Sequence, residues 1–151
     1  MHNQDKGIIH THNNNITNQL AAAVKESRFL IREPGVRNEL LLEQHAESPD
    51  PTVLISPSMS HGVDLKDDLA RFQIIVKAPF LPIRDKRIEK LMKNNYDWYV
   101  NKMLCALIQS CGRGVRSKKD HCITYILDGA IVESVINNKH KLPKYFLDRF
   151  S

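Results

Sequence analysis

Nowhere in the 151 residues does an apolar run approach the ~20 that a membrane-crossing helix needs, so a membrane role is set aside. The opening Met1-His2-Asn3-Gln4-Asp5 has no basic cluster leading into an apolar segment, and no secretory signal is read there. Cysteine is scarce. Cys105, Cys111 and Cys122 are odd in number and contain no C-x-x-C pair, which argues against a disulfide framework or a zinc site. A reducing cytoplasm is then the expected setting. Internal repeats and low-complexity tracts are missing too. Neither sign of charge dominates: Lys plus Arg number 22 and Asp plus Glu 17, leaving 22 − 17 = +5. That excess is compatible with a polyanionic partner but does not establish one.

What is present is the balance of a globular domain, 42% hydrophobic and 26% charged. A chain of this length is expected to form one domain, 1–151, with a core of its own. Its pattern alternates strands and helices. Gly7 to His12 is an apolar run ending in polar residues, as a buried strand ends at a loop. Asn14 and Asn15 offer N-caps for a helix whose Ile16, Leu20, Ala23 and Val24 share one face. Arg28 to Ile31 is a second strand, and Pro34-Gly35 precede a helix carrying Val36, Leu40 and Leu41 up to His45. Ser48-Pro49-Asp50-Pro51 breaks that helix before the strand Thr52 to Ser56. Phe72 to Lys77 is the fourth strand. A long helical stretch from Asp85 to Ser110, broken near Asn94-Asn95, leads to the last strand, His121 to Leu127, and a closing helix follows Pro143. Continuous apolar strands separated by amphipathic helices predict an α/β fold, a parallel sheet covered on both faces. Open sheets of this kind bind ligands at the carboxyl ends of their strands, where Thr11-His12-Asn13 and the stretch from Ser56 to Asp64 fall.

Two segments carry chemistry. Gln109-Ser110-Cys111-Gly112-Arg113-Gly114-Val115-Arg116 is a Q-x-x-G-R-x-x-R pattern between the long helix and the last strand. Gly112 can end the helix in a left-handed conformation. Arg113 and Arg116, on the rim at the strand ends, then suit the terminal phosphate of a nucleotide, because a guanidinium makes two-pronged phosphate contacts and offsets charge in phosphoryl transfer. By residue type alone they could equally be loop arginines solvating a turn. Ser56-Pro57-Ser58-Met59-Ser60-His61-Gly62-Val63-Asp64-Leu65 offers hydroxyls and backbone N–H groups of the kind that hold phosphate oxygens, with Asp64 able to accept from a sugar hydroxyl. The plain alternative is a polar turn in which Asp64 caps the next segment.

Together, and in this order, the two segments resemble motifs V and VI of superfamily 2 helicases, specifically the XPD/DinG-type branch. Leu54 to Leu65 is similar to that branch's S-x-S/T-x-G-x-D segment. Arg71 to Phe80 is similar to its next strand, which ends in a Pro-aromatic pair. Trp98-Tyr99 and Thr124-Tyr125-Ile126-Leu127-Asp128 match on either side of motif VI, and Gly7 to His12 sits where motif IV belongs. The resemblance covers nearly the whole chain and implies a RecA-like second motor domain, a piece of a larger ATP-dependent DNA helicase. It implies that Gln109, Gly112, Arg113 and Arg116 face ATP across the cleft between two motor domains, with the arginines in the catalytic role. It further implies that Gly62 and Asp64 couple the nucleotide to the nucleic acid, and that Thr11, His12, Ser58 and Ser60 hold the single-strand backbone. ATP with Mg²⁺ is the implied cofactor. The implied partners are single-stranded DNA and the N-terminal RecA-like domain of the same parent chain.

The chain has no G-x-x-x-x-G-K-S/T phosphate loop and no D-E-A-H or D-E-x-H magnesium motif, so the isolated chain is not expected to hydrolyse ATP. A non-catalytic nucleic-acid-binding module with the same fold is the alternative reading. Weaker candidates have plainer explanations. His10-x-His12 lacks a third metal ligand and suits polar packing at a strand end, so no metal site is expected. Cys111 beside two arginines invites a lowered pKa but lacks a partner base, so it is read as a small buried residue. Trp98 and Tyr99 suit base stacking or, more simply, a core.

Overall fold

The computed structural model describes residues 2–31, 37–57, 65, 67–112 and 121–148. Five strands, β1 (Gly7–His10), β2 (Phe29–Ile31), β3 (Val53–Ser56), β4 (Phe72–Ile75) and β5 (Ile123–Ile126), form one sheet in the order β2-β3-β1-β4-β5, and every pairing is parallel. The fold is thus the expected α/β parallel sheet. All four residues of β3 are buried, which is why it reads as an unbroken apolar run rather than an alternating one. Gly7 lies in register with Phe72, and a Cβ there would stand 2.4 Å from the Phe72 ring. The strand therefore begins with the one residue that lets that ring lie against it.

The helices are α1 (Asn14–Ala23), α2 (Asn38–Glu47), α3 (Lys86–Asn94), α4 (Tyr96–Cys111), α5 (Gly129–Asn137) and α6 (Lys144–Leu147). Registered neighbours and alternate residues of a parallel ladder share a face, so Ile8, Leu54, Gln73 and Ile75 point the same way. On that face Ile8 and Leu54 pack with Leu41 of α2, Leu65 and Ala70. Beside them Ile75 packs with Met103, Leu104 and Leu107 of α4, Ile131 and Val135 of α5 and Phe146 of α6. The β1–α1–β2 connection crosses the sheet in the opposite direction to the others. Right-handed crossover therefore puts α1 on the other face.

Several local features differ from the sequence expectation. The N-cap of α1 is Asn13, not Asn14 or Asn15: its side chain accepts from the backbone of Asn15 and Ile16. The shift follows from His12, whose φ of 50° turns the chain sharply and starts the helix earlier. Thr17 is the buried residue of α1, while Ala23 is exposed. Leu40 points outward from α2 and Leu41 inward. The predicted break falls at Asn95, which caps α4 through Trp98 N–H at 2.9 Å. Helix α5 was not anticipated; Asp128 followed by Ile131 and Val135, a cap and two apolar residues four apart, was its signal.

His45 on α2 is fully buried and fastens three segments. Its Nδ1 accepts from the Thr52 hydroxyl at 2.7 Å, and its Nε2–H donates to the Leu69 carbonyl at 2.8 Å. Burial lowers its pKa; the Leu69 hydrogen bond opposes that shift and the Lys6 ammonium adds to it. A neutral folded His45 against an unfolded one that protonates below 6.5 means the unfolded state binds more protons in acid. The domain should therefore hold its stability above pH 6.5 and lose it as pH falls below that value. His45→Gln, which cannot titrate, should be less stable at neutral pH but show a shallower decline. Thermal melts of both proteins across this range check the slope.

Candidate functional site

At the carboxyl ends of the strands, β1 runs into a tightly satisfied turn. The Thr11 N–H donates to the Ser56 carbonyl at 3.2 Å, tying the turn to the end of β3. Thr17 donates its hydroxyl proton to the Asn13 carbonyl, so the Thr11 hydroxyl donates in turn to Thr17 Oγ1, 2.6 Å away. Thr11 is fully buried, with both its N–H and its hydroxyl engaged. The His12 ring lies parallel to that of His10, with centroids 5.9 Å apart. Its left-handed backbone costs on the order of 1 kcal/mol for a non-glycine residue, a strain often kept at binding sites. Ser58, Ser60, Gly62 and Asp64 lie outside the described residues. Ser56 before them ends β3, and Leu65 after them packs in the core on the way to β4.

The Q-x-x-G-R-x-x-R segment opens at the opposite rim. Strands β4 and β5 are parallel neighbours, so α4 between them runs back against both and ends where they begin. Arg71, just before β4, donates to the His121 carbonyl at 3.3 Å, and Ile123 N–H donates to the Arg71 carbonyl at 3.0 Å. Both flanks of the segment thus sit at the amino ends of the strands. A helix joining two parallel neighbours has no other direction to run. Gln109 is exposed on the last turn of α4 and Gly112 follows it, also exposed. Arg113 and Arg116 lie outside the described residues. Gly112 is right-handed (φ −78°, ψ −10°) rather than left-handed, because its N–H still completes a helical bond to the Ile108 carbonyl.

Thr11 and His12 are therefore brought together at one rim, Gln109 and Gly112 at the other, and the two pairs are kept apart. Among the described residues no three of His, Cys, Asp and Glu converge as a metal site. Burial, with help from the neighbouring Cys122 thiol, pushes Cys111 up to about 12, so the lowered pKa that its position suggests is not found. Tyr99 is core: its hydroxyl donates to the Leu81 carbonyl at 2.8 Å, its ring stacks on Phe80, and burial raises its pKa. Trp98 is half-buried with the Lys102 ammonium 5.9 Å from its ring. A groove beside β5 is lined mainly by apolar side chains such as Ile108, Ile126 and Phe146, with Gly112, Thr124 and Lys139 also on its wall.

With this geometry in hand, the helicase C-terminal domain family matches residues 2–147. The chain belongs to that family. Its curated relatives include the ATP-dependent DNA helicase CHL1 of Debaryomyces hansenii, 30% identical over 57% of this chain and 13% of that protein. Another is the ATP-dependent DNA helicase CHL1 of Candida albicans, 25% identical over 88% of this chain and 19% of that protein. A solved apo XPD shares the fold with a TM-score of 0.62 at 19% identity, over 90% of this chain and 31% of its own. S. tokodaii Xpd4 does so with a TM-score of 0.58 at 16% identity, over 95% and 30%. This helicase C-terminal domain thus spans under a third of each of these proteins. No helix among its described residues is long and apolar enough to cross a membrane.

One residue at the carboxyl-end rim went unassigned in the sequence. Asp128 accepts from Ala130 N–H at 3.0 Å, capping α5, and from Ala78 N–H at 2.9 Å, holding the loop after β4. Burial alone would raise its pKa, but those two N–H groups and the Lys77 ammonium outweigh it and hold the carboxyl below its ordinary value. Asp128→Ala should cost about 1–2 kcal/mol, the range of a lost cap. A depressed pKa stabilises above the unfolded value and is lost as pH falls through the folded one. The gap between wild type and variant in urea melts should therefore narrow in acid.

Proposed function

We propose that this helicase domain completes the ATP site of a larger ATP-driven DNA helicase at one rim and holds single-stranded DNA at the other. The observation that carries the reading is the two-rim arrangement. An exposed Gln109 and Gly112 close α4 at the amino ends of the strands, and Arg113 and Arg116 follow them in sequence. A strained, hydrogen-bonded turn at Thr11 and His12 closes the carboxyl ends. Separate rims suit separate ligands, a nucleotide and a polynucleotide, handled by one rigid sheet.

In this reading Gln109 and Gly112 line the cleft, and Arg113 and Arg116 reach the γ-phosphate when a second motor domain closes against this one. Their fixed charge then meets charge that builds up in the transition state. Gly62 and Asp64 belong to the same cleft and link it to the DNA-holding Ser58 and Ser60. Thr11 contributes by fixing the turn that presents His12 and Asn13, since its hydroxyl is held by Thr17. Mg²⁺, which would neutralise the phosphate chain, is assigned to the N-terminal motor domain along with most of the ATP contacts, as the helicase resemblance implies. The setting is the cytoplasm.

The domain by itself should show no ATP turnover above background, because it has no phosphate loop. Hydrolysis by the purified domain, lost on mutation within it, would contradict the reading. In the full-length helicase, Arg113→Ala or Arg116→Ala should lower ATP turnover by about 10³–10⁵, the worth of a phosphate-facing arginine. Lysine should restore little, lacking the planar two-pronged contact. DNA affinity without nucleotide and melting temperature should stay near wild type. ATPase rate, single-strand binding and melting measured on the same variants check all three, and near-normal turnover in both alanine variants would sink the assignment.

A further inference from the structure

Gln73 is a polar side chain in the middle of an apolar strand, 1% exposed, on the face covered by α4. Its amide nitrogen donates to two acceptors: the Cys111 carbonyl at 3.3 Å and the Thr124 hydroxyl oxygen at 2.7 Å. A carbonyl can only accept, which puts the nitrogen rather than the amide oxygen on this side. The amide has two protons for these two partners. Cys111 is the last residue of α4, where a helix leaves its carbonyls to partners outside its own ladder. Thr124 lies beside Gln73 in the β4–β5 register.

The two partners stand on either side of one segment. Cys111 immediately precedes Gly112 and the arginines; Thr124 follows them by three residues past His121. A single buried amide thus pins the chain where it leaves α4 and where it re-enters the sheet. We infer that Gln73 is a positioning residue for Arg113 and Arg116, fixing the chain on both flanks of the segment that contains them. The inference rests on the ATP-facing role proposed for those arginines. Its physical content is geometric: apolar packing holds α4 against the sheet but tolerates sliding along the helix axis, whereas two hydrogen bonds from one amide fix the helix end against β5. An arginine that must meet a phosphate at hydrogen-bonding distance is sensitive to that offset.

The test uses the full-length helicase and four variants, Gln73→Met, Thr124→Val, Thr124→Ser and Arg113→Ala, with Gln73→Met also made in the Arg113→Ala background. Gln73→Met keeps the volume and removes both bonds. It should lower kcat about tenfold, well inside the ~100-fold that a 1 Å misplacement costs, while KM for ATP moves less. Thr124→Val, at a half-buried site, removes one bond and should show a smaller loss of the same kind; Thr124→Ser, which keeps the hydroxyl, should restore it. In the Arg113→Ala background the loss caused by Gln73→Met should be smaller, because one of the two groups it positions is gone. Equal losses in both backgrounds would mean a structural role and overturn the inference alone. So would wild-type kcat in Gln73→Met, or, if that variant fails to fold, in Thr124→Val. Wild-type turnover in Arg113→Ala would instead overturn the ATP-facing reading and this inference with it.

Discussion

Parallel pairing on both sides of β1 governs this molecule. Two parallel neighbours cannot be joined by a tight turn, so each connection must carry the chain from the carboxyl end of one strand back to the amino end of the next. That return journey is what α2 and the pair α3–α4 accomplish, and between β3 and β4 it falls to the segment from Ser56 to the turn at 67–69. Every loop is thereby assigned to a rim by its place in the connection. A loop after a strand is on one side of the molecule and a loop after a helix on the other. The turn at Thr11 and His12 falls in the first group, and the Q-x-x-G-R-x-x-R segment begins in the second.

Within that frame the interior is held by a small number of buried polar anchors. The apolar residues of β3, β4 and α4 supply most of the driving force, but such packing is not directional. His45, Gln73 and the Thr11–Thr17 pair add direction, each joining segments distant in sequence or crossing from strand to helix. Buried donors and acceptors of this kind contribute about 1 kcal/mol each when satisfied and cost more when orphaned, so they penalise alternative registers more than they stabilise the native one. Their placement is informative: the Thr pair secures the carboxyl-end turn, and Gln73 secures the amino-end segment.

Much of this was legible in the sequence because it depends on local pattern. Val53 to Ile55 read as a buried strand without any partner in view, and Asn95 read as a break because a cap and a helix interior make opposite demands on the same residue. The helicase relationship was legible for a different reason: Gln109, Gly112, Arg113 and Arg116 recur at a fixed spacing. What pattern could not supply was direction across the molecule. That α4 ends at the amino-end rim, so that the Q-x-x-G-R-x-x-R segment starts there, follows only from the parallel β4–β5 pairing. Gln73 was passed over inside an apolar strand, since its partners are 38 and 51 residues away. Asn13 lost to Asn14 and Asn15 because the left-handed turn at His12 has no strong residue signature. Helix α5 escaped because its apolar face is short, although Asp128 announces it.

The length of the strands bears on how such a domain works. A four-residue strand advances about 13 Å at ~3.3 Å per residue, so the two rims of the central sheet are separated by little more than that. A close-packed sheet with both covering layers is poorly compressible, and it does not lengthen or shorten to carry a signal between its ends. If a nucleotide is gripped at the amino-end rim and a DNA strand at the carboxyl-end rim, as proposed, then the information that passes between them is position rather than shape. Closing the cleft on ATP moves the whole sheet, and the turn at Thr11 and His12 moves with it by the same rigid displacement. That mechanism requires both rims to be fastened firmly to the core. It accounts for the hydrogen bonds of Thr11 and Gln73, which tie the turn after β1 and the end of α4 to the core beside the two segments proposed to grip DNA and nucleotide.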